Sequence, residues 1–133
     1  SHQRHEMTSW VVDTNTLLRF LLNDIPEQAQ KFVDKVEQAK KGKTKLIVPQ
    51  IVIFEIHFAL TSGYGFSKQN VTDGLKKIIS QDYLVIQDKE VFKEALNLYA
   101  KEKISLPDSF LKVYSERSNA KLFTFDKKLL KIK

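Results

Sequence analysis

The chain of 133 residues contains no cysteine. That excludes a disulfide framework, a thiol nucleophile and a thiolate metal site, and it fits an intracellular, cytoplasmic setting. No apolar run is long enough to cross a bilayer and no secretory signal is recognisable, so the sequence reads as soluble, with no membrane partner. The six residues before Met7, the only methionine, read as an added leader; one domain is expected over residues 7–133. Histidine is scarce. Of three, His2 and His5 fall in the leader and only His57 remains, which excludes a ribonuclease mechanism built on a histidine pair. There is no Walker-type phosphate loop, no Gly-x-Ser-x-Gly elbow, no internal repeat and no low-complexity linker.

What is present is an ordinary globular composition, 42% hydrophobic, with 22 basic against 16 acidic residues and a net charge of +6. A basic domain favours polyanionic partners such as nucleic acid. A merely lysine-rich surface has the same composition, and charge alone does not separate the two.

The chain is organised around Ser9–Leu22. A short run of β-formers, Trp10-Val11-Val12, gives way at Asp13 to helical spacing through Leu17, Leu18, Leu21 and Leu22. A strand turning at once into a helix opens an α/β unit. Pro26 starts a second helix over 27–41, with Ala29, Phe32, Val33 and Val36 on its apolar stripe. A strand follows at 45–48. The most apolar stretch, 51–60, predicts a helix buried almost all round and stopped by Gly63. Further helices are expected at 68–80, 88–102 and from Pro107 to about Asn119, with strands at 83–86 and 121–125 and a helical basic tail after Asp126. This alternation implies an α/β fold: a three-layer α/β/α sandwich around a mostly parallel sheet of four or five strands, covered on both faces.

Four acids stand out against this frame. Glu55 interrupts an apolar run and is expensive to bury unless paired, protonated or bound to a metal; a salt bridge to a basic neighbour would also explain it. Asp13 and Asp126 follow strands, at the carboxyl edge where open α/β sheets bind ligands, yet both also suit helix caps. Asp108 stands in a first helical turn, where the dipole favours an acid. Clustered carboxylates need cations, and oxygen-only ligation suits Mg²⁺ or Mn²⁺. His57, two residues after Glu55, does not share its face and reads as a core or rim residue. Asp13-Thr14-Asn15-Thr16 resembles the nucleophile motif of haloacid-dehalogenase-type phosphatases, but Asn15 replaces its second acid. A non-enzymatic nucleic-acid-binding domain whose acids only cap helices is the other alternative.

Val-Asp-Thr-Asn-Thr-Leu-Leu-Arg at 12–19, Val-Ile-Phe-Glu-Ile at 52–56, Asp-Ser-Phe-Leu at 108–111 and Thr-Phe-Asp-Lys-Lys-Leu at 124–129 resemble the PIN domain. The overall pattern is similar to the VapC-type toxins of prokaryotic toxin–antitoxin pairs. The resemblance implies a metal-dependent ribonuclease in which Asp13, Glu55, Asp108 and Asp126 hold one or two Mg²⁺ or Mn²⁺ ions. Asn15 and Thr124 would orient carboxylates or waters. It further implies an RNA substrate, a homodimer and a cognate antitoxin.

Overall fold

The change of period at Asp13 is a change of element. The computed structural model describes residues 7–132. In it β1 (Thr8–Val11) passes through Val12 and Asp13 into α1 (Thr14–Leu22). Asn23 closes α1 in the left-handed region at φ 51°, a conformation that asparagine tolerates better than most residues. Pro26 occupies the first turn of α2 (Pro26–Lys40), where its missing N–H is no loss. Then come β2 (Thr44–Val48), α3 (Gln50–Phe58), α4 (Lys68–Ile79) and β3 (Leu84–Ile86). The chain ends with α5 (Lys89–Lys101), α6 (Leu106–Arg117) and a short α7 (Lys127–Lys131). The leader expected over residues 1–6 lies outside the described residues.

The three strands form one parallel sheet in the order β1-β2-β3. Trp10 stands opposite Leu46 and Leu46 opposite Leu84, so alternate residues share a face across the sheet. On one face Leu46, Val48, Leu84 and Ile86 are buried and join the helical core. On the other, Val11, Ile47 and Val85 line up in register, and Val11 and Val85 are exposed.

Three expectations need correcting. The sheet has three strands among the described residues, not four or five. Residues 121–125 lie outside it, and the side chains of Phe123 and Phe125 are 86% and 89% exposed. This segment, though rich in β-formers, shares a hollow with α6 and α7 through Leu122, Thr124 and Leu129. Among the described residues no neighbouring strand supplies it with hydrogen bonds. The expected cover on both faces of the sheet is therefore incomplete, as exposed Val11 and Val85 show. Third, α3 is not buried all round. Ile51, Glu55 and Phe58 form an exposed row at helical spacing, while Val52, Ile53 and Ile56 face the core. After Phe58 the helix widens into a π-turn, Ala59–Gly63, closed by the Tyr64 N–H on the Ala59 carbonyl at 2.9 Å.

Helices α3, α5 and α6 meet around three phenylalanine rings. Phe54 lies 5.2 Å from Phe92 and 5.3 Å from Phe110, and Phe92 lies 4.9 Å from Phe110, in tilted or edge-to-face geometry. Phe92 is fully buried. Phe92→Ala should cost about 3–5 kcal/mol of folding free energy by opening a cavity at this junction. Urea denaturation measures it; a loss below about 1 kcal/mol would mean that the three helices are held elsewhere.

Candidate active site

The first turn of α1 carries the first acid. Oδ1 of Asp13 accepts the Thr16 N–H at 2.8 Å and caps the helix. That N–H first, and the Thr16 hydroxyl second, hold the Asp13 carboxyl below the ordinary carboxylate range. Asp13 is thus both cap and charged group, with its side chain exposed.

Glu55 comes to this turn from α3. The Thr14 hydroxyl donates to Glu55 Oε1 at 2.9 Å, across 41 positions of sequence. One residue of α1 therefore joins the two acids: Thr14 follows Asp13 in the chain and holds Glu55 through space. Glu55 is exposed, contrary to the burial expected from its apolar neighbours, because it sits on the outward row of α3. The part of Thr14 is not legible in the sequence. A hydroxyl beside the first acid was visible in the sequence, but its partner was not.

Asp108 and Asp126 occupy the starts of other helices. The Ser105 hydroxyl caps α6 by accepting the Asp108 N–H at 3.1 Å, which leaves the half-buried Asp108 carboxylate in the first turn without a hydrogen bond among the described residues. The Phe54–Phe110 contact fixes that turn relative to Glu55, since each ring is within two residues of an acid. Asp126 caps α7 by accepting the Leu129 N–H at 3.0 Å. Its own N–H donates to the Thr124 hydroxyl at 3.0 Å, so Thr124 holds the backbone of Asp126. Asn15 is exposed on the first turn of α1.

These are hard oxygen donors without a neighbouring thiolate, which suits Mg²⁺ or Mn²⁺ in kind. Their placement is a different matter. Among the described residues no three acidic, histidine or cysteine side chains stand together as a set able to hold a metal ion. Asp13 and Glu55 are joined through Thr14, while Asp108 and Asp126 remain separate carboxylates at helix starts.

His57 lies outside this group. Its Nε2 is 2.9 Å from the Tyr99 hydroxyl, its ring meets that of Tyr99 edge-on at 5.2 Å, and burial lowers its pKa. A base with a depressed folded pKa stays neutral in the folded state while the unfolded chain takes up a proton. This contribution to stability is present above the unfolded value of about 6.5 and is lost as pH falls from there through the folded pKa. His57→Gln should flatten that limb of a plot of melting temperature against pH. An unchanged slope between about pH 7 and pH 5 would assign it to other groups.

The PIN domain family matches residues 10–133. A curated relative, the VapC ribonuclease of Aquifex aeolicus (strain VF5), is 27% identical over 113 residues, covering 84% of this chain and 82% of the relative. No solved structure matches. With a parallel α/β frame, acids at the carboxyl end of β1 and a family match over nearly its whole length, the chain belongs to the PIN domain family.

Proposed function

We propose that the chain is a metal-dependent endoribonuclease, the toxin of a toxin–antitoxin pair. The observation that carries this reading is the Asp13–Thr14–Glu55 linkage at the carboxyl end of β1, in a PIN-domain chain similar to a VapC ribonuclease. Asp13, Glu55, Asp108 and Asp126 are the proposed holders of one or two Mg²⁺ or Mn²⁺ ions. Such an ion, when bound, activates water and neutralises charge developing on a phosphodiester.

The chain's own residues set the conditions for that chemistry. Thr16 stabilises the charged form of Asp13. Thr14 holds one oxygen of Glu55 and leaves the other available. Asn15, on the same turn as Asp13, is placed to orient water or substrate. Four carboxylates repel one another, so their side chains separate unless a cation lies between them.

The proposed partners are RNA, a second copy of the chain and an antitoxin, all consistent with action in the cytoplasm. No helix among the described residues is long and apolar enough to cross a membrane. The exposed row Ile51-Glu55-Phe58 combines apolar side chains with an acid. It suits a partner helix that brings apolar residues and an arginine, whose fork matches a carboxylate.

A second reading has direct support: Asp13 and Asp126 do cap helices. Acids that served only as caps would leave a basic nucleic-acid-binding domain without activity. Cleavage of mixed RNA separates the two. The wild type should cut with Mg²⁺ or Mn²⁺ and stop with EDTA. Asp13→Asn, which keeps a capping oxygen, should lose at least about a hundredfold in rate while remaining folded. The product of an adjacent small open reading frame should bind and suppress cleavage. A folded Asp13→Asn protein with full activity would overturn the proposed site, and a neighbouring product that neither binds nor inhibits would overturn the toxin reading alone.

A further inference from the structure

We propose that the groove along the free edge of β1 is a binding site for single-stranded RNA, with a base stacked on Trp10 and phosphates held by Lys31 and Lys35. This rests on the ribonuclease reading and adds to it the path of the substrate.

The groove, about 410 Å³, is bounded by β1, α1 and α2. Its volume suits a small organic group such as a nucleobase. Phe32 is buried at its wall, and Trp10 is 44% exposed at the strand edge. Lys35 Nζ stands 4.3 Å from the centroid of the Trp10 ring. An exposed indole with a cation against it is the pairing that holds single strands: the ring supplies a stacking surface and the cation a phosphate contact.

Charge points the same way. Arg19, Lys31 and Lys35 line the groove, and among the described residues no acidic one does. Lys31 and Lys35 are four residues apart on α2, hence on one side of it, and neither makes an ion pair among the described residues. Arg19 is anchored by Asp24 at 3.0 Å and by the Tyr64 hydroxyl at 2.9 Å, while its buried Nε has no hydrogen-bond partner. An orphaned buried donor is uncommon and calls for an acceptor.

Position links this groove to the acids. Asn15 and Thr16 line it, and Thr16 is the residue whose N–H Asp13 accepts. A strand lying over Trp10 would therefore reach the first turn of α1. Among the described residues β1 is the terminal strand of the sheet, so its outward edge has no strand partner there, and its backbone groups are of the kind that meet base edges. A duplex keeps its bases stacked inside and offers none to Trp10, which selects for single strands.

Trp10 is the only tryptophan, so its emission reports this groove alone. The experiment titrates the protein, in EDTA to prevent cleavage, with a fluorescein-labelled ten-nucleotide single-stranded RNA and with the same sequence as a duplex. Tryptophan emission should be quenched saturably by the single strand, with the same midpoint as label anisotropy, and the duplex should bind at least about tenfold more weakly. Trp10→Ala should weaken binding roughly fivefold or more, with Trp10→Phe restoring most of it. Lys35→Ala should lower the slope of log affinity against log salt by about 0.7. Anisotropy that rises while emission stays constant would place RNA elsewhere, as would Trp10→Ala and Lys35→Ala binding like wild type. If either occurs while the wild type still cleaves RNA with metal, the groove fails and the ribonuclease reading stands. If the groove binds as described and no metal restores cleavage, the groove stands and that reading fails.

Discussion

The Asp13 carboxylate accepting the Thr16 N–H is the contact on which the site depends. It starts α1 only two residues, Val12 and Asp13, after the sheet's first strand has ended, and so fixes where the helix points. Thr14 is thereby aimed at Glu55, and Arg19, one turn further on, at Asp24 and Tyr64. Removing a cap of this kind costs about 1 kcal/mol in stability. Its greater consequence here is geometric: the same turn carries the first acid, the hydroxyl that holds the second, and the two side chains that open onto the β1 groove.

This economy creates an electrostatic contrast. A chain of net charge +6 presents carboxylates at the carboxyl end of its sheet and lysines along the neighbouring edge. A polyanion is attracted by the whole domain, over distances of about a Debye length, and is repelled locally by the acids unless a cation lies among them. In the proposed ribonuclease, long-range capture and metal binding would fall to different side chains. The aromatic junction of Phe54, Phe92 and Phe110 adds the rigidity such an arrangement needs, because it ties the helices of Glu55 and Asp108 together.

Much of the fold is legible in the sequence where periodicity and punctuation agree. Asp13, Pro26, Pro49 and Pro107 each mark an element boundary to within a residue or two. The failures have physical causes. Residues 121–125 read as a strand by composition, but pairing requires a neighbour's backbone, which local pattern does not report. The run 51–60 hides its outward face because two of the exposed positions, Ile51 and Phe58, are themselves apolar; Glu55 then looks buried when it is not. The acids themselves stand out in the sequence, whereas the Thr14–Glu55 bond, a contact between residues 41 apart, does not. The capping role weighed for Asp13 and Asp126 is real, and a cap with a second free oxygen is not thereby excluded from holding a cation.

The proposal on which the chemistry of the site rests is that Asp13, Glu55, Asp108 and Asp126 hold one or two divalent ions. Substoichiometric Mn²⁺ added to isotope-labelled protein tests it most directly, because the ion broadens amide resonances according to distance. Selective loss of signal is expected at Asp13–Thr16, around Glu55, and around Asp108 and Asp126, with the spectrum of α4 retained and full recovery with EDTA. Broadening spread evenly over the surface acids, or confined to residues remote from Asp13 and Glu55, would contradict it.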